Sequence, residues 1–203
     1  GAGPALAQTA WSLAVCAVFV AAVGLQHWQG WRAVEGAGGW RALRDGPALP
    51  AAAAMVAGLV VLLRRHPPLV ILPTALAAWH VLTNVADLAC PTDRCAADPT
   101  IGVSLAVGLA LAALGYGRDL AGRFREGFWA HLVAGLALGT GLLLTDWRGA
   151  GPWAVFVLAN VLLVAFAVFI NRAVYAAVGG LGIAYYLFRL ANRVFVHSLL
   201  FPL

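Results

Sequence analysis

Residues 153 to 170, WAVFVLANVLLVAFAVFI, contain no charged side chain. An uninterrupted apolar stretch of this length narrows what a chain can fold into more than any motif does. About 17 to 25 apolar residues, wound as a helix, cross a hydrocarbon core roughly 30 Å thick. Comparable stretches recur at about 5–25, 48–63, 67–89, 100–116, 128–145 and 173–194. The expected fold is therefore all-α, a polytopic bundle of seven transmembrane spans forming one integral-membrane domain over residues 1–203. Composition agrees: 63% of residues are hydrophobic, 10% are charged and the mean hydropathy is +0.88. Soluble domains carry roughly 25% charged residues, and nothing between the spans is large enough to build a soluble core.

The net charge of +5 is due to arginine, since the chain has no lysine. The arginines fall singly or in pairs between apolar runs, a pattern of topology signals; nucleic-acid binding would need a clustered basic face. The first run lacks the basic n-region of a signal peptide and exceeds the h-region length of about 7 to 15 residues. RRHPP at 64–68, GRDLAGRFREG at 117–127 and NR at 171–172 fall on one side, the cytoplasmic side by arginine bias, and put the N-terminus there. Arg94, Arg148, Arg189, Arg193 and the arginines of loop 26–47 weigh the other way. That loop interleaves Trp28, Trp31 and Trp40 with Arg32, Arg41 and Arg44, which suits the headgroup layer. Short loops and a composition rich in alanine and arginine point to a bacterial cytoplasmic membrane.

With this orientation Cys90 and Cys95 face the oxidising side, where they are expected to form a disulfide; free thiols are the alternative. The CxxxxC spacing lacks the second ligand pair of a zinc site, and Cys16 reads as a small core residue. A faint 4+4 duplication, with its second half starting near residue 128, is suggested by Trp129 and Asp146-Trp147 echoing Trp11 and His27-Trp28. WRALRDGP and WRGAGP also each precede an apolar helix. It would imply an eighth helix in a longer chain. Coincidence of residues common at membrane borders explains the echo equally well.

Polar residues inside spans mark the candidate sites, because an ionisable group facing lipid costs roughly 2.5 to 3.5 kcal/mol on insertion scales. On a helix, His80, Thr83, Asn84 and Asp87 share an arc of roughly 100°. In the seventh span Arg172, Tyr175, Gly179, Gly182, Tyr186, Arg189, Arg193 and His197 recur at three- and four-residue steps. The third, fifth and seventh spans run outward together, which brings Asp87, Asp146, Arg189 and Arg193 to one outer level, with His27 able to join. The candidate ligand, ion or proton-relay site is therefore His80, Asn84, Asp87, Asp146, Arg189 and Arg193, held by ion pairing. The plainer reading is that the charges near helix ends reach water or headgroups, while His80 and Asn84 bond a neighbouring helix.

Ser104, in GVSLAVG, and His131, in AHLVAGLALGTG, place a serine and a histidine among glycines on successive spans. This resembles the intramembrane serine proteases of the rhomboid type and would imply a nucleophile and its base. The chain departs from that family's GxSG setting, since Leu105 follows Ser104. Ser104-xxx-Gly108 and Gly135-xxx-Gly139 are accordingly read as small-residue packing faces.

Three function classes follow. The first is transport or permeation of a proton, ion or small polar solute through the polar stripe, with Arg189 as counter-charge. The second is a non-catalytic subunit or scaffold of a membrane complex. The third, an enzyme acting on a lipid-linked substrate, comes last. No pattern assigns a cofactor or a metal. The expected partners are the lipid bilayer and a second copy or another membrane subunit.

Overall fold

The computed structural model describes residues 9–18, 20, 48–65, 67–89, 99–145 and 150–197, which fold into helices and the turns between them. They are α1 (Thr9–Val18), α2 (Ala48–Arg65), α3 (Ile71–Ala89, entered through a 3-10 turn at Pro68–Val70), α4 (Pro99–Leu120), α5 (Phe124–Leu144), α6 (Ala150–Ile170) and α7 (Ala173–His197). Proline marks the starts. Pro50, Pro73, Pro99 and Pro152 all stand in the first turn of a helix. There the missing N–H would have had no intrahelical acceptor.

Five helices are long and apolar enough to cross a membrane: Pro68–Asp87, Pro99–Leu120, Phe124–Leu144, Pro152–Ile170 and Ala173–Arg193. The apolar parts of α1 and α2, Thr9–Val18 and Leu49–Arg64, are shorter. Val168, Phe169, Leu181 and Phe188 are at least 65% exposed. Surface of this kind on every long helix has its natural solvent in lipid. The chain is built as a membrane-embedded helical protein.

Contacts divide the chain into two compact units, residues 1–141 and 142–203. In the first, Val15 of α1 packs with Ala54, Val70 and Ala77, flanked by Met55, Val61 and Leu62. Cys16 lies on the exposed side of α1, which corrects its reading as a core residue: its neighbour Val15 takes the inward position. The α2–α3 contact closes on Gly58, where an added Cβ would collide with Thr74, whose hydroxyl donates to the Val70 carbonyl at 2.7 Å. The Trp79 indole N–H donates to Ser104 Oγ at 3.1 Å and joins α3 to α4. The helices pair antiparallel, so Pro68 at the entrance to α3 shares a cavity of about 400 Å³ with Phe124, Arg125 and Phe128 at the start of α5.

α4 and α5 lie in one antiparallel register read out by glycine. Gly141 faces Leu105 and Gly108 faces Leu138; Gly115 faces His131 and Gly127 faces Asp119. Each step along α4 is matched by an equal step back along α5. A missing side chain on one helix makes room for a large or polar one on the other, the close approach that small residues allow in membranes. Half of the apolar window of α5 is buried, against 17 to 22% for the other four long helices. Of the five long helices α5 is thus the one most enclosed by its neighbours.

In the second unit α6 and α7 form a hairpin around Phe156, Asn160 and Tyr175, all essentially inaccessible. The Phe166 and Tyr175 rings meet edge to face at 5.1 Å.

Candidate functional site

The best-built polar site is at the turn between α4 and α5. Helix α4 runs on to Leu120 and α5 begins at Phe124. Arg118, Asp119 and Glu126 therefore stand on helix faces, whereas the sequence reading ended the fourth span at 116 and began the fifth at 128. Gly122, at φ +74°, ends α4. Its N–H donates to the Asp119 carbonyl at 3.0 Å and the Arg123 N–H to the Arg118 carbonyl at 2.8 Å. This is the paired 5→2 and 6→1 closure of a Schellman cap. The cap holds the two polar residues of the last α4 turn against the first turns of α5.

Two ionic groups result. Glu126, in the first turn of α5, accepts from Arg118 and from Arg123 Nε at 2.7 Å. Its side chain is 12% exposed and those of the arginines 45% and 42%, so the carboxylate is sunk between guanidiniums that face outward. Its position at a helix N-terminus adds a favourable dipole interaction. Deeper in, His131 is completely buried and its Nε2 lies 3.1 Å from Asp119 Oδ2, with the Asp119 side chain 13% exposed. An ionised carboxylate can only accept, so Nε2 carries the proton in this contact.

Glycines make the room. The His131 ring lies over Gly115, where a Cβ would come within 2.9 Å of it, and the Asp119 carboxylate lies over Gly127. Each helix thus offers a glycine one turn from its own polar residue: Gly115-xxx-Asp119 on α4 and Gly127-xxx-His131 on α5. This reciprocal spacing is present in the sequence, but it joins His131 of the fifth span to Asp119 and Gly127 in a segment whose arginines read as a topology loop.

The residues proposed from sequence take these positions. His80 and Asn84 come together within α3: Asn84 Nδ2 donates to the His80 carbonyl at 2.7 Å and lies 3.3 Å from His80 Nε2. Thr83 Oγ1 donates to the same carbonyl at 2.8 Å. Asp87 is exposed and accepts from Thr100 Oγ1 at 3.0 Å, joining the end of α3 to the start of α4. Arg189 stands 5.8 Å from the Trp153 ring centroid, a cation–π contact, and shares with Arg193 and Tyr186 a pocket of about 220 Å³. Asp87 and Arg189 each have a partner within their own unit. Asp146, Cys90, Cys95 and His27 lie outside the described residues.

Ser104 and His131 do not form a nucleophile and base. Ser104 is engaged by Trp79, and His131 packs on Gly115, roughly 16 Å further along α4 at 1.5 Å per residue. Buried Ser104 and Gly108 do form a packing face, with Gly108 against Leu138.

What this arrangement can do chemically is hold a proton. His131 is shielded from solvent, and its one acidic neighbour among the described contacts has an edge at the surface. No family model matches the chain, and no curated protein or solved structure matches it.

Proposed function

We propose that this multi-pass membrane protein moves a proton, or a small polar solute coupled to one, with His131 and Asp119 as the proton-holding pair. The observation that carries the reading is a fully buried histidine bonded to a carboxylate that itself reaches the surface of the turn. Ionisable groups inside membrane helices are costly and mark relays and ion paths, and histidine is the side chain whose charge changes near neutral pH. In the same reading the α4–α5 and α6–α7 turns face the cytoplasm of a bacterial cell. His80, Asn84 and Asp87 on α3 are proposed as polar contacts for the solute towards the other face, and Asp146, Arg189 and Arg193 as polar contacts belonging to the second unit by itself.

The test is proton flux in proteoliposomes carrying a trapped pH-sensitive dye under an imposed membrane potential. His131→Asn and Asp119→Asn should each reduce flux at least tenfold, while Gly180→Ala, at an open position on α7, should not. Wild-type vesicles no leakier than empty ones, with or without added solutes, would sink the proposal. That outcome favours the second reading, a scaffold or subunit, for which the Arg118–Glu126–Arg123 group is the supporting observation: it fastens the first turn of α5 to the end of α4 through a carboxylate held by two guanidiniums.

A further inference from the structure

A cavity of about 320 Å³ runs among α2, α3, α4 and α5, between Leu59, Ala78, Leu111 and Leu114, and it ends at Arg118 and Glu126. Leu111, Leu114 and Arg118 follow one face of α4 over roughly 10 Å, so the apolar part extends about two helical turns inward from the ionic end. Leu59 and Leu114 are 46% and 59% exposed, which leaves the groove open along its side. Its wall is apolar and faces the hydrocarbon, so a water-soluble solute gains nothing from it.

The charge at its mouth selects what fits. Arg118 and Arg123 share the single carboxylate of Glu126, and Asp119 is turned to His131. Arg125 beside them and Arg64 at the end of α2 are exposed. Guanidiniums outnumber carboxylates, and those of Arg118 and Arg123 keep nearly half their surface open although Glu126 is sunk. Arginine forks bind phosphate oxygens well, and basic pockets between membrane helices suit anionic headgroups.

We propose that this groove holds one acyl chain of an anionic phospholipid whose headgroup phosphate rests on Arg118 and Arg123. The site stands independently of the proton reading, because neither His131 nor Asp119 lines it.

The experiment is native mass spectrometry of the delipidated full chain in detergent, titrated with dioleoylphosphatidylglycerol or dioleoylphosphatidylcholine. One phosphatidylglycerol should be retained at least fivefold better than phosphatidylcholine. Ala78→Phe, which fills the groove, and Arg123→Gln should each abolish that preference, while Leu109→Phe, on the exposed face of α4, should keep it. Leu114→Trp serves the same end at a residue already largely exposed, should Ala78→Phe fail to fold. Equal retention of the two lipids, or a preference untouched by the groove-filling variants, would overturn the proposal. So would displacement of the lipid by millimolar inorganic phosphate, which would make the site one for free phosphate. His131→Asn should leave lipid retention unchanged whatever it does to proton flux.

Discussion

Asn160 shows how closely a single side chain in an apolar helix can depend on a glycine across from it. Its amide donates to the Phe156 carbonyl at 2.8 Å, and the carboxamide, oxygen foremost, fills the space beside Gly182 of α7, where no Cβ fits. Gly182→Ala should therefore lower stability by about 1 to 3 kcal/mol, the usual cost of overpacking. Gly180 has open space at its Cβ position, so Gly180→Ala should be neutral or stabilise by up to about 1 kcal/mol. Unfolding by sodium dodecyl sulfate, followed by circular dichroism, compares the two; equal effects would show that Asn160 does not rest there. The same scale decides the role of Ser104. Ser104→Ala leaves the Trp79 indole N–H without its acceptor and should cost about 1 to 2 kcal/mol. Any activity should fall only as far as stability does; a larger loss of activity would restore a chemical role for the hydroxyl.

At the scale of elements, two helix ends do the same work with different residues. The α6–α7 turn repeats the closure of the α4–α5 turn: Asn171 sits at φ +54°, its N–H reaches the Val168 carbonyl at 3.3 Å, and the Arg172 N–H reaches the Ala167 carbonyl at 2.9 Å. Glycine or asparagine is needed at this position because a Cβ crowds the backbone in the left-handed region. Gly122→Val and Asn171→Val should each destabilise by about 1 to 2 kcal/mol or more, whereas Asn171→Gly should be tolerated. Tolerance of both valines in the same detergent-unfolding assay would refute the caps. These turns also explain what the sequence concealed. Apolar runs and first-turn prolines mark the helices well enough. Hydropathy, however, stops where Arg118, Asp119 and Glu126 begin, while the backbone stays helical to the cap. The site therefore lay in what looked like loop. In the third span, by contrast, the polar stripe was legible, but periodicity alone could not show that Asn84 and Thr83 bond back to the His80 carbonyl of their own helix.

For the molecule as a whole, what sequence leaves open is which helices cross the bilayer, because α1 and α2 are apolar but short. If both cross, loop 26–47 lies opposite the α4–α5 turn; if both lie in the interface, loop and turn share a side. Proline explains why length alone does not decide. Pro50 fixes the start of α2, and Arg64 and Arg65 its end, so the helix spans roughly 27 Å at 1.5 Å per residue, close to the hydrocarbon thickness. Basic residues at one end can reach the headgroups without further helix. On this length α2 is expected to cross, and with it α1, which it would return to the opposite side. With Cys16, Cys90 and Cys95 replaced by serine, Gln29→Cys and Thr145→Cys should react with a membrane-impermeant maleimide from one face, Arg125→Cys and Arg172→Cys from the other. Labelling of Gln29→Cys from the Arg125→Cys side would keep α2 from crossing, rule out seven spans and end the four-plus-four reading. It would spare the α4–α5 site, whose polar residues all come from two long helices and the turn that joins them.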